Sequence, residues 1–287
     1  MKLTEISTIK ALCEEYGFGF KKKFGQNFLV NPRVPAMIAE AAEGTCALEI
    51  GPGIGTMTRE LAEICPKVVA IEIDTSLKPL LENTLSDLDN VEVVFADAMK
   101  TDIAALCKEK FGDSPVSVCA NLPYYITTPV ILHLLECGVS FRNITVMIQK
   151  EVADRLCAKP ATAEYGAITL TCARYGKVKK LFDVPRSAFY PVPGVDSTVV
   201  SILPAEKEEI CVSDEKKLTR LIRASFNQRR KTLVNGMSGE FSQYTKAELA
   251  RLLVSCGFRE DVRGETLSLA DFAKIVNAMD GDLPTNQ

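Results

Sequence analysis

At 287 residues, 47% hydrophobic and 25% charged, the chain has the length for one large domain plus a small one. A net charge of −3 and a pI near 5.5 argue against nucleic-acid binding by the surface as a whole, though not against a local basic patch. No apolar run approaches the ~18 residues that span a bilayer, and the ten cysteines form no CxxC pair, which argues against a zinc or other metal site.

The N-terminus carries Glu5, Glu14 and Glu15, with no arginine and no long apolar core. It therefore resembles neither a signal nor a transit peptide, and a cytosolic location is the default expectation. Cys46, Cys119 and Cys172 have apolar neighbours and read as small buried hydrophobes in a reducing compartment. Residues 7–16 place Ile9, Leu12 and Cys13 on one helical face. Lys21, Lys22 and Lys23 then lead through Phe24 into Gly25-Gln26-Asn27-Phe28-Leu29. This composition suits a loop facing a phosphate or cofactor, and equally a solvated basic turn. Asn31 and Pro32 open the next helix as N-cap and first helical residue.

Residues 46–50 form a buried strand that runs into Gly51-Pro52-Gly53-Ile54-Gly55-Thr56 and a helix over 57–64. Strand, glycine turn and helix in that order are the setting of a nucleotide-binding loop, because glycine lets backbone approach a ligand and the helix N-terminus favours polar groups. The G-x-G-x-G spacing departs from the dinucleotide fingerprint G-x-G-x-x-G and so weakens a nicotinamide reading. A strand over 68–73 carries Glu72, about 20 residues after Gly51, where an acid meets ribose hydroxyls in such folds. A strand over 91–95 ends at Asp97, whose carboxylate can accept from an amino group.

A fourth strand, 116–120, stops at Asn121-Leu122-Pro123-Tyr124. Pro123 has a fixed φ and turns Leu122 away from helix. The turn gathers an amide (Asn121), a carbonyl (Leu122) and an aromatic face (Tyr124) at a strand's carboxyl end. The two oxygens can accept both hydrogens of an exocyclic amine, and the ring can stack on a flat base. His133, the one histidine, sits in an apolar helix and reads as structural.

Residues 144–149 make a fifth strand, followed by a helix over 150–156. Residues 165–175 fit helix by spacing and strand by β-branched content. Strands over 177–184 and 196–203 are joined by a connection stiffened by Pro185, Pro191 and Pro193, which holds Phe189 or Tyr190 over a neighbouring pocket. The charged stretch 205–215 marks a boundary between a domain over 1–204 and one over 205–287. Beyond it the chain is helical, with a capping box at Thr245 and Glu248, a stop at Gly257 and a start at Ser268 to Asp271. Arg220, Arg223, Arg229, Arg230 and Lys231 fall between 220 and 235 with no acid among them, a local excess that suits contact with RNA phosphates.

Together these stretches resemble the family of rRNA adenine N6-dimethyltransferases. The matching residues are Gly25 to Leu29, Glu49-Ile50-Gly51-Pro52-Gly53-Ile54-Gly55, Val69 to Asp74, Asp97-Ala98, Asn121 to Tyr124, Gln149-Lys150-Glu151, Ser187-Ala188-Phe189, Val195-Asp196-Ser197 and Ser225 to Thr232. The resemblance implies an α/β, Rossmann-like class I methyltransferase with a seven-stranded, mostly parallel sheet, the last strand antiparallel, and a small all-helical C-terminal domain. It implies S-adenosylmethionine as cofactor, with Asn27, Leu29 and Gly51 at its methionine end, Glu72 on the ribose and Asp97 on the adenine. Gly53 and Gly55 complete the cofactor turn. Asn121 lies between cofactor and target, and Tyr124 and Phe189 sandwich the target adenine. The implied partner is the small ribosomal subunit and its rRNA, approached by a monomer with no membrane and no metal. The run from Phe226 to Lys231 favours small-subunit rRNA over the large-subunit rRNA modified by antibiotic-resistance relatives. A nicotinamide dehydrogenase and a non-catalytic RNA-binding or ribosome-assembly factor are the other classes compatible with such a scaffold.

Overall fold

A computed structural model describes residues 1–21, 25–204 and 210–281. Lys22, Lys23 and Phe24 of the basic loop, and the start of the charged stretch at 205–209, lie outside the described residues. The chain divides into two compact units. The first takes Met1–Ala153 and Val178–Pro204, the second Asp154–Lys177 and the C-terminal residues.

The first unit is built on seven strands: β2 (Cys46–Ile50), β3 (Val68–Glu72), β4 (Val91–Phe95), β5 (Val116–Asn121), β6 (Ile144–Gln149), β7 (Gly176–Val184) and β9 (Ser197–Pro204). They lie in the order β4-β3-β2-β5-β6-β9-β7. The first five are mutually parallel and β9 runs antiparallel to β6, as the resemblance implied. Residues of β2 and β3 are buried throughout. Strands covered on both faces read as continuous apolar runs, which is why their limits are visible in the sequence. Chain order runs outward from β2 through β3 to β4, then returns to the other side of β2 with β5. That reversal leaves a crevice at the carboxyl ends of β2 and β5, the place where open α/β sheets take ligands.

Short helices flank the sheet. Helix α1 (Ile6–Glu15) precedes a two-residue strand, β1 (Phe28–Leu29), which pairs antiparallel with β8 (Phe189–Tyr190). This small ladder matches Leu29 with Phe189 and brings the N-terminal loop to the proline-rich connection. Helix α2 (Arg33–Glu40) starts one residue later than the sequence suggests, with Pro32 at the cap and the Asn31 side chain accepting from the Arg33 N–H at 3.1 Å. Helix α3 (Thr56–Ile64) follows the glycine turn. Helices α4 (Lys78–Thr84) and α5 (Ile103–Phe111) lead into β4 and β5. His133 lies on α6 (Thr127–Glu136), its ring nitrogen 3.3 Å from the Thr101 carbonyl, a local structural contact.

The second unit corrects the sequence-based boundary. Residues 154–177 belong to it rather than to the first domain. Their ambiguous segment is a helix, α8 (Ala167–Tyr175), and Leu170 and Tyr165 share one apolar core with Leu218, Leu221, Phe241 and Phe272. The Tyr165 hydroxyl donates to the Leu267 carbonyl at 2.7 Å. No shift of composition marks this first crossing, because it falls within a continuous helix, α7 (Lys150–Leu156). The rest of the unit is α9 (Glu215–Asn227), α10 (Leu233–Glu240), α11 (Lys246–Ser255) and α12 (Leu269–Gly281). Thr245 and Glu248 form the expected capping box, and Gly257 ends α11 at φ +83°. Among the described residues no helix is long and apolar enough to cross a membrane.

Candidate active site and basic cluster

The carboxyl ends of β2, β3 and β5 border an open cleft lined by the glycine turn, Glu72, Asp97 and Asn121 to Tyr124. Its floor is the glycine turn. Gly51 and Gly53 both have left-handed φ values, +76° and +59°, that disfavour any other residue. Gly51 has no atom near the position of a Cβ, so its backbone lies bare toward the cleft, while a Cβ on Gly53 would come within 3.1 Å of the Phe28 ring. Gly55 departs from expectation. It does not border the cleft, and a Cβ there would meet Leu85 at 2.9 Å. Its φ of +88° and its smallness serve the packing of α3 against the end of α4 rather than a cofactor.

Glu72 ends β3 with its carboxylate accepting from the Asp74 N–H at 2.7 Å and the Gly53 N–H at 3.3 Å. Burial raises its pKa, and those two backbone donors partly offset the effect. Asp74 is only 3% exposed yet richly served. It accepts from the Lys21 ammonium at 2.8 Å, the Gln26 amide at 3.0 Å and the Ser76 hydroxyl at 2.7 Å. Burial pushes this carboxyl up, but the donors together hold it below the usual carboxylate range. Asp97 borders the cleft while one of its oxygens caps the Met99 N–H at 3.0 Å.

Glu49 contrasts with both. It is 0% exposed, borders the cleft from the interior of β2, and neither carboxyl oxygen has a hydrogen-bond partner. Burial, reinforced by the charge of Glu72 and only partly countered by the nearby Thr58 hydroxyl, pushes its pKa up to about 8. Reading the sequence for function assigned no role to Glu49, Asp74 or Gln26. For Glu49 the signal was present: an acid inside the otherwise apolar run Cys46-Ala47-Leu48-Glu49-Ile50.

Strand β5 extends one residue further than expected and so includes Asn121, paired with Met147 of β6. The Asn121 amide nitrogen donates to the Asn27 carbonyl at 3.3 Å. Only the NH₂ end can donate to a carbonyl, so this bond fixes the amide's orientation and leaves Oδ1 without a partner among the described residues. Leu122 turns away through a bond from its N–H to the Met147 carbonyl. Pro123 and Leu122 both border the cleft. The half-buried Tyr124 is held by its hydroxyl, 2.9 Å from that of Ser197. Phe189 borders the same cleft but is 2% exposed and packs with Leu29, Val34 and Ile38. The arrangement therefore offers one accessible aromatic face, Tyr124, and little of Phe189, rather than two open faces. Tyr125, 58% exposed at the cleft's mouth, was not singled out from the sequence.

In the second unit, the basic residues do not form one helix. Arg220 and Arg223 are on α9, while Arg229, Arg230 and Lys231 occupy the connection to α10. Two of the five are held internally. Arg220 pairs with Glu240 at 2.6 Å and lies over the Phe241 ring. Arg229 pairs with Glu265 at 2.7 Å and donates to the carbonyls of Thr162 and Ala163. Arg223, Arg230 and Lys231 are exposed and have no side-chain partner among the described residues.

A family model described as ribosomal RNA adenine dimethylase matches residues 17–280. The chain is 44% identical over 287 residues to the ribosomal RNA small subunit methyltransferase A of Streptococcus pneumoniae (strain ATCC 700669 / Spain 23F-1), covering 98% of this chain and 99% of that one. Among solved structures it is similar to a dimethyladenosine transferase from Plasmodium falciparum, with a TM-score of 0.74 and 27% identity over 88% of this chain and 97% of that one. It also shares its fold with the 23S rRNA methyltransferase ErmE, with a TM-score of 0.67 and 24% identity over 88% of this chain and all of that one.

Proposed function

The chain belongs to the ribosomal RNA adenine dimethylase family, and from that membership we propose how its first unit methylates N6 of two adjacent adenines in small-subunit rRNA. The cofactor is S-adenosylmethionine, and the residues of the cleft fit it. Gly51 and Gly53 let backbone approach a ligand, the Glu72 carboxylate would take the ribose hydroxyls, and Asp97 would take the adenine amino group. Glu49, a buried carboxyl with both oxygens unpartnered, borders the same cleft and would suit the cationic end of that molecule on giving up its proton. Asn27 and Leu29, on the strap formed by residues 25–30, would close that end. When bound, the cofactor supplies an electrophilic methyl group on a sulfonium.

The chemical obstacle is the target nitrogen, whose lone pair is delocalised into the adenine ring. The single observation that carries the mechanism is the bond from Asn121 to the Asn27 carbonyl. It leaves the Asn121 Oδ1 as an acceptor at the cleft, and the carbonyl of Leu122, which also lines the cleft, would be the second. Hydrogen bonds from N6 to both would favour a pyramidal nitrogen with a localised, more nucleophilic lone pair. The nitrogen that takes up the methyl group would become acidic and lose its proton to water, so no side chain of the cleft needs to hold that proton. No strong base is required; positioning and fixed dipoles lower the barrier. The target base must leave its stack, at a cost of a few kcal/mol. Stacking on Tyr124 offsets ~1–3 kcal/mol of that. A second methylation repeats the step on the N6-methyl product, whose remaining N–H still has an acceptor.

The test is Asn121→Ala. Methyl transfer is expected to fall by at least ~100-fold, with cofactor affinity measured by calorimetry staying within a few-fold of wild type. Full activity in the variant would remove the amide from the mechanism.

A further inference from the structure

The amide of Asn121 is oriented by a backbone carbonyl, that of Asn27, and this carbonyl belongs to a strap that owes its position to side chains about one strand away. On its C-terminal side the strap is fixed by pairing of Leu29 with Phe189 and by a bond from the Val30 N–H to the Ala188 carbonyl at 2.8 Å. On its N-terminal side it is fixed by Gln26. The Gln26 amide oxygen accepts from the Lys21 N–H at 2.8 Å, and its nitrogen donates to Asp74 at 3.0 Å. Lys21 reaches the same carboxylate at 2.8 Å and the Ser76 hydroxyl at 2.6 Å. Between these anchors the Asn27 side chain bonds back to the Gly25 carbonyl at 2.9 Å, and Gly25 sits where a Cβ would press Pro123 at 3.3 Å.

We propose that Gln26 and Asp74 are positioning residues for methyl transfer: their amide–carboxylate bond sets the Asn27 carbonyl and, through it, the direction in which Asn121 presents Oδ1 to the target nitrogen. The inference rests on the function proposed above and adds a cause for the geometry it uses. Asp74 is suited to the task because its buried carboxylate needs several donors to be stable, and only the docked strap supplies Gln26 and Lys21. The adjacent Asp74 N–H bonds to Glu72, so the strap is moored at the same corner that would hold the ribose. Cofactor corner and catalytic amide are thereby tied to one another through residues 26 and 27.

The bond can be broken from either side and then rebuilt with its roles exchanged. Gln26→Glu sets two carboxylates against each other, and Asp74→Asn sets two amides together. The pair Gln26→Glu with Asp74→Asn restores one carboxylate and one amide, and keeps an anion near Lys21. Two readouts are used on the full chain. In single-turnover methyl transfer to unmodified small subunits at saturating cofactor, each single change is expected to lower the rate by ~10-fold or more. The pair returns to within about three-fold of wild type in rate. In ¹⁵N spectra without RNA, the Asn121 side-chain amide exchanges faster with solvent in each single variant and slows again in the pair. Singles that leave the saturated rate and the amide exchange unchanged, or a pair no better than its singles in both, would overturn the proposal. Amide exchange that responds as stated in the variants, while the wild-type protein fails to methylate rRNA, would uphold the clamp and overturn the function it was placed in.

Discussion

A carboxyl group with no hydrogen-bond partner is costly to keep charged inside a strand, and Glu49 shows what that does to stability. Its pKa of about 8 in the folded protein lies above the ordinary value of 4.5. Between those values the folded chain retains a proton that the unfolded chain has lost. The stability it allows is present in full below pH 4.5 and is lost progressively as pH rises to about 8, after which the cost is constant. Glu49→Gln removes this dependence. Relative to wild type, the variant is expected to gain on the order of a few kcal/mol at pH 8 and little at pH 5. Urea unfolding at the two pH values measures it, and a variant–wild-type difference equal at both would show that the buried carboxyl is not the titrating group. The same residue explains a limit of sequence reading. Gly51, Glu72, Asp97 and Asn121 announce themselves at strand ends, whereas the roles of Glu49 and Asp74 depend on which donors the fold brings or withholds. Gln26 and Lys21 reach Asp74 across about 50 residues of chain.

At the scale of the element, β2, β4 and β6 have the limits that their apolar runs indicate; β2 and β6 are buried along nearly their whole length, as strands covered on both faces are, while β4 at the sheet's edge is half-buried. Termini with explicit side-chain caps, such as those of α11, were equally legible. Segment 165–175 was not, since its spacing and its β-branched content conflict, and only its packing with α9 and α12 settles it as a helix. The cluster between Arg220 and Lys231 shows the same limit for charge. Counting cations along the chain cannot tell those that Glu240 and Glu265 have already engaged from those that face solvent. Of the five residues expected to contact RNA, we propose that the exposed set, Arg223, Arg230 and Lys231, meets its phosphates. Replacing all three by alanine is expected to weaken RNA binding and to reduce the slope of log affinity against log salt, by ~0.7–0.9 for each phosphate no longer neutralised. Arg229→Ala, by contrast, is expected to lower the stability of the second unit. Affinities measured from about 50 to about 300 mM salt, paired with thermal unfolding, separate the two effects, and an unchanged slope in the triple variant would remove those side chains from the interface.

At the scale of the whole molecule, the chain enters the second unit twice, at 154–177 and again after the charged stretch near 205. Only the second entry carries a change of composition, so a two-domain reading was available from sequence but its first boundary was not. What the sequence did contain was the sheet order's chemical consequence: four strand ends bearing glycine, glutamate, aspartate and asparagine, gathered by a parallel sheet at one edge. That edge is thereby proposed as the methyltransferase site that acts on small-subunit rRNA. Its most direct test is transfer of labelled methyl groups from S-adenosylmethionine to small ribosomal subunits lacking adenine dimethylation, with large-subunit rRNA as the parallel substrate and nucleoside analysis as the readout. Label in N6,N6-dimethyladenosine from the small subunit alone is the expected result. Label confined to large-subunit rRNA, or none in either with cofactor still bound, would contradict that assignment.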